Sequence, residues 1–168
     1  MKSKTRYLAQ GAAVAALYVV LTWLAAVLGI ASGAVQLRLS EALTVLPLVL
    51  PAAVPGLFVG CLLANLLTGA ALWDVVFGAL ATLLGALGTR YLAKSKWLAP
   101  LWPILANMAV VPLLLLYVYQ APGTYLYFLA TVGAGEILSC GVLGLLLYTA
   151  LEHAGAIQGG RLRGAARL

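Results

Sequence analysis

The 168-residue chain holds four carboxylates, ten basic residues, one histidine and two cysteines, so the few groups able to do polar chemistry stand out. Glu136 lies between two uncharged stretches, 97–135 and 137–151, roughly 16 Å along a helix that would begin near residue 125. Its neighbours Gly133, Ala134 and Gly135 leave room for another helix or a ligand. An ionisable group at that depth is costly and marks function by default; the alternative is a protonated carboxyl bonded to a neighbouring helix. Asp74 follows Trp73 at the start of another apolar run, where it is either a site residue or a helix-terminal charge favoured by the dipole. Asn65 and Asn107 are buried amides, open to ligand recognition or to interhelical hydrogen bonding. The stretch Gln36-Leu37-Arg38-Leu39-Ser40-Glu41 alternates polar and apolar residues. It reads as an extended loop with Gln36, Arg38 and Ser40 on one side. That loop is either solvated, with a weak Arg38–Glu41 surface pair, or a gate over a pocket.

Together these groups suit a small polar ligand with paired N–H donors. Trp73, Tyr117, Tyr119, Tyr125 and Tyr127 could stack on a flat ring or belong to an interfacial aromatic belt. Catalysis has little to build on. The single histidine, His153, lies at the end of the last apolar run with Glu152, so neither a Ser–His site nor a His-rich metal site is expected within the membrane. Cys61 and Cys140 sit singly in apolar runs and read as buried reduced thiols. No Gly-x-x-x-x-Gly-Lys-Ser/Thr occurs, so the chain cannot hydrolyse ATP by phosphate-loop chemistry. No cofactor and no metal are expected in it.

The elements that must position these residues are dictated by composition. Apolar residues make up 64% and charged residues 8%, with a mean hydropathy of +1.08. Ordinary globular folds are about half apolar and a quarter charged, and disorder needs the opposite bias, so lipid is the expected solvent. Clear spans fall at 7–29, 73–92, 99–119 and 125–152. The apolar stretch before the first loop is longer than the ~7–15 residues of an export signal, so a retained first helix is expected. The segment 41–68 is apolar but broken by Pro47, Pro51 and Pro55.

Charge settles how that segment crosses. Nine basic residues cluster at Lys2–Arg6, Arg90–Lys96 and Arg161–Arg167, and all nine share one side only if 41–68 goes in and comes back. Two short, Pro-interrupted helices are therefore expected. The fold class is an all-α integral membrane protein of six helices with both termini cytoplasmic. Residues 1–153 form one domain, followed by a basic cytoplasmic tail at 154–168 that is expected to fray. The clusters are membrane anchors and not a nucleic-acid surface. Short helices at membrane depth mark binding cavities in transporters. On the first helix, Ala9, Ala12, Ala13 and Ala16 form a small-residue stripe, suited to a partner helix or to packing within the chain.

The segment QLRLSEALTVLP at 36–47 resembles the most recognisable stretch of the QueT family, substrate-binding S components of energy-coupling factor transporters assigned to queuosine precursors. The likeness continues through PAAVPG at 51–56, GCLLANL at 60–66 and DVVFGALATL at 74–83, then around Asn107 and at Gly133–Glu136, covering about 7–152. The resemblance implies a six-helix S component in a bacterial-type cytoplasmic membrane that captures its substrate from outside and closes the loop after the first helix over it. It implies a T component, met by the first-helix alanines, and two cytoplasmic ATPases that consume the ATP, with the S component toppling to deliver its cargo.

The substrate would be a 7-deazaguanine, such as the cyano or aminomethyl precursor, or queuine. Such a ring presents paired N1–H and amino donors beside a carbonyl, and ring edges are read by hydrogen bonds and faces by stacking. Glu136 or Asp74 would take the donors and Asn107 or Asn65 the carbonyl. A second carboxylate would balance an aminomethyl cation. Arg38 and Glu41 would lock or anchor the loop, with Gln36 and Trp73 completing the site. An S component for another vitamin or nucleobase, or a stand-alone membrane carrier or enzyme, would share much of this pattern.

Overall fold

In a computed structural model, residues 3–31, 36–158 and 161–163 are described. Helix α1 spans Ser3–Val27, α2 Ala53–Leu67, α3 Leu72–Tyr91, α4 Leu101–Tyr117, α5 Tyr125–Glu136 and α6 Gly144–His153. A π-helical segment, Ile137–Leu143, joins α5 to α6, so Tyr125–His153 runs as one helix of 29 residues. A 3-10 helix, Leu39–Leu48, precedes α2. Three of these helices, Ser3–Val27, Leu72–Tyr91 and Tyr125–His153, are long and apolar enough to cross a membrane, and the other three are shorter and apolar.

The expected division of 41–68 into two short helices is present, with the break at Val49–Ala52. Its first half is a 3-10 helix, and the prolines explain both the break and its repair. Pro51 has no N–H, so the Pro47 carbonyl loses the donor an α-helix would supply four residues on. Arg90, in the last turn of α3, donates instead to the carbonyls of Pro47 and Leu48, each at 3.4 Å.

Leu39–Leu48 is the hub of the bundle. It packs against α1, α2, α3, α6 and the π segment, and Ser40, Glu41, Thr44 and Val45 along it are at most 1% exposed. Around it the helices pack in pairs, α1 on α2, α2 on α3, α3 on α4 and α4 on α5. The core gathers Val14, Tyr18, Leu43, Leu57, Cys61 and Ala79. The outer surface is apolar too: Leu17, Trp23, Leu84 and Leu146 are all more than half exposed, as lipid contact demands.

At the far end, Ile157–Gln158 and Arg161–Leu162 pair as an antiparallel hairpin. The Leu162 N–H donates to the Val49 carbonyl at 3.1 Å. The described part of the tail is thus tied to the bundle and is not frayed as the sequence suggested; Lys2 and Arg167 lie outside the described residues. Glu152 pairs with Lys96 at the same end.

Close crossing of α1 and α2 depends on glycine. A Cβ on Gly60 would stand 2.8 Å from Tyr18 Cβ and 3.0 Å from the Ala15 backbone, distances that force the helices apart. Overpacking of this kind costs about 1–3 kcal/mol. Gly60→Val is expected to lower the unfolding midpoint of the purified protein in detergent, and an unchanged midpoint would show that the crossing is looser than this geometry.

Candidate functional site

The site is built around the chain between α1 and the 3-10 helix. Residues 36–38 belong to no helix or strand, Arg38 is extended, and helix begins at Leu39. The expected extended conformation is thus present at Arg38 and fails at Ser40, which is helical and turned into the core. Two helices hold this segment. On one side the Thr22 hydroxyl meets Ser40 Oγ at 2.8 Å and the Tyr18 hydroxyl donates to Glu41 Oε1. On the other, the Arg38 N–H donates to Ser139 Oγ at 3.0 Å, and a Cβ at Gly135 would collide with the Gln36 carbonyl. Glycine at 135 is thus what lets the segment lie against α5.

Glu41 is fully buried and forms no ion pair with Arg38, which corrects the solvated-loop reading. It belongs to an inner cluster. The π segment begins just after Glu136 and carries Ser139 and Cys140 inward, both 1% exposed; a wide turn of this kind is frequent at functional positions. Cys140 Sγ lies 3.1 Å from Glu136 Oε2 and 3.9 Å from Glu41 Oε2. The Thr44 hydroxyl stands 2.6 Å from the Glu41 carbonyl and 3.5 Å from Cys140 Sγ. Asn107, 2% exposed, faces both carboxyl groups, and its amide nitrogen has no hydrogen-bond partner. One ligand atom each from Glu41, Glu136 and Cys140 fall within 4.8 Å of one another, so this cluster could hold a cation.

A second polar set surrounds Asp74, 7% exposed. It does not cap α3: Ala71 is the N-cap, and the Ala71 N–H donates to the Tyr119 hydroxyl at 3.2 Å. Instead Asp74 Oδ2 accepts from the Tyr119 hydroxyl at 2.7 Å, and its carbonyl accepts from Asn65 Nδ2 at 3.2 Å. Asp74 Oδ1 is left without a partner. Gly78 makes the space, because a Cβ there would stand 2.9 Å from that oxygen.

Two cavities flank this carboxylate. One of about 330 Å³ is lined by Gln36, Arg38, Asp74, Leu114, Leu115 and Tyr119, with Val111 among its apolar residues. One of about 150 Å³ has Thr22, Asn65, Thr68 and Ala70 on its wall, again with Arg38 and Asp74. Half-buried Arg38 lines both and forms no ion pair, the described pair being Lys96–Glu152.

Of the residues expected at a site, Gln36, Arg38, Asn65 and Asp74 therefore meet at the cavities. Glu41, Asn107 and Glu136 gather in the inner cluster and line neither cavity. Trp73 is brought to neither set. It is 60% exposed, stacks on Phe77 at 5.8 Å and faces a separate apolar groove with Leu113 and Tyr117. Asn65 does make the interhelical bond that was its alternative role. Both cysteines are free and buried. Tyr18, Ser139 and Cys140 were missed as site residues; the signals were a tyrosine halfway along the first helix, away from any interface, and a thiol one turn beyond Glu136.

The Tyr119 phenol, in the loop after α4, has its pKa raised by burial and by the hydrogen bond to Asp74. The bond exists while the phenol is neutral and is lost as pH rises through that raised pKa, where phenolate would face carboxylate. Asp74→Asn is expected to move the Tyr119 titration to lower pH in ultraviolet difference spectra taken against Tyr119→Phe; an unmoved titration would dissociate the two groups.

No curated protein and no solved structure matches the chain. The family model of the QueT transporter matches residues 8–153, nearly all of the bundle just described. Polar groups collected inside an apolar bundle fit that match. The chain belongs to the QueT transporter family, a family of membrane transporters and not of enzymes.

Proposed function

We propose that the chain is the S component of an energy-coupling factor importer, capturing a 7-deazaguanine precursor of queuosine in the cavities beside Arg38 and Asp74. One observation carries the reading. A half-buried guanidinium and a buried carboxylate line the same two cavities without pairing, and the carboxylate keeps an unpartnered oxygen. Each is costly to bury alone, and both are satisfied by a ring edge that offers a carbonyl next to N–H donors. Asp74 Oδ1 takes the N1–H and amino donors, Arg38 donates to the carbonyl, and Val111, Leu114 and Leu115 receive the ring face. The larger cavity, about 330 Å³, falls at the lower end of the ~300–1,000 Å³ usual for ligand sites.

The inner cluster then has a different task from the one first expected of Glu136. Glu41, Glu136 and Asn107 hold the base of the Gln36–Arg38 segment, which closes over the ligand. Six helices cross a bacterial-type cytoplasmic membrane with both ends inside. The chain contributes no motor, and ATP is consumed by two partner ATPases through a T component. That T component packs on Ala9, Ala12, Ala13 and Ala16; all four are exposed on α1, so the stripe is not used up by packing within the chain.

Hydrogen bonds to a charged group are worth about 1.5–3 kcal/mol, which is roughly ten- to a hundred-fold in affinity. Calorimetry of the purified protein with 7-aminomethyl-7-deazaguanine is expected to show a loss of that size in Asp74→Asn. Equal affinities would remove Asp74 from the site, and stabilisation only by an unrelated vitamin would overturn the substrate.

A further inference from the structure

The bond between Tyr119 and Asp74 is one side of a closed ring. The Asp74 N–H donates to the Ala71 carbonyl at 2.8 Å, and the Ala71 N–H donates to the Tyr119 hydroxyl at 3.2 Å. That hydroxyl in turn stands 2.7 Å from Asp74 Oδ2. A hydroxyl has one proton and two acceptor sites, and an ionised carboxylate can only accept. The amide takes one acceptor site of the phenol, so the phenol proton is directed at Oδ2.

The ring joins two loops beside the larger cavity. Ala71 precedes α3 and Tyr119 follows α4; the tyrosine lines the cavity with Arg38 and Asp74 and is 44% exposed, so it stands at the cavity's edge. Its backbone is specified as closely as its hydroxyl. The N–H groups of Val118 and Tyr119 both donate to the Leu114 carbonyl, at 2.9 and 3.0 Å, and that of Ala121 donates to the Leu115 carbonyl at 2.9 Å. Between them Gln120 has φ 49°, a left-handed conformation uncommon for a residue with a Cβ. Such a conformation persists where the surroundings over-determine it. Leu114 and Leu115 also line the larger cavity, so one turn places both the phenol and the apolar wall.

We propose that Tyr119 is a positioning residue for ligand binding. By occupying Oδ2 from one fixed direction, it leaves Oδ1, the oxygen without a partner, as the one offered to a guest. Without the phenol hydroxyl the carboxylate is free to turn and must be ordered at each binding event; holding it in advance removes that cost. This rests on the substrate reading above and deepens it, because it traces the orientation of Asp74 to a residue on the facing loop.

The test is a cycle of Tyr119→Phe and Asp74→Ala, read by calorimetry of the purified full chain with 7-aminomethyl-7-deazaguanine. Tyr119→Phe keeps the aromatic ring and is expected to weaken binding on the order of ten-fold, within the range of coupling between contacting residues. In the Asp74→Ala background, where no carboxylate is left to hold, the same change is expected to have no further effect. An equal loss in both backgrounds makes Tyr119 a tie between loops and overturns its positioning role. An unchanged affinity in Tyr119→Phe, whatever the unfolding midpoint, overturns it as well. If the unsubstituted protein binds no deazaguanine, the substrate reading falls and this one with it.

Discussion

A carboxyl group with no exposed surface is the constraint on which the rest of the bundle depends. Glu41 lies in the first turn of the 3-10 helix, and that helix touches most of the other elements. Burying a carboxyl without partners costs several kcal/mol, so its surroundings are specified. Tyr18 donates to it from α1, and Cys140 and Asn107 face it from the π segment and α4. Meeting that demand draws α1 and the π segment onto one short helix. The glycines at 60 and 135 are the steric counterpart, since they let α1 meet α2 and the loop meet α5 at the distances the polar contacts require.

The consequence for function is positional. With Glu41 fixed, Arg38 stands three residues earlier in extended backbone, held through its own N–H by Ser139. Its side chain is left between the two cavities, opposite Asp74. The loop is therefore pinned at its base, and the part that lines the cavities holds its charge unpaired. Such an arrangement favours closure on a guest over closure on itself, because Arg38 and Asp74 Oδ1 gain partners only when something lies between them.

Much of this was legible before any coordinates. Proline spacing and the sidedness of the basic clusters gave two short helices in place of one, and its depth in a long uncharged run marked Glu136 as an intramembrane group. The division between two polar sets was not legible, because it depends on a π segment and a 3-10 helix, which leave no periodic signature in so uniformly apolar a sequence. The same uniformity hid the role of Arg90. It reads as a membrane anchor by charge, yet one of its partner carbonyls, that of Pro47, is left free because Pro51 follows Pro47 by four residues. Trp73 was misplaced for a related reason: adjacency to Asp74 in sequence puts the two side chains on different faces of α3, one toward the cavities and one outward.

Whether a ligand lies between Arg38 and Asp74 is decided by a structure of the protein with a bound 7-deazaguanine. The ring is expected against Val111, Leu114 and Leu115, with its N–H edge on Asp74 Oδ1 and its carbonyl toward Arg38. A ring seated instead in the groove beside Trp73 and Phe77, with Arg38 and Asp74 still unpartnered, would contradict it.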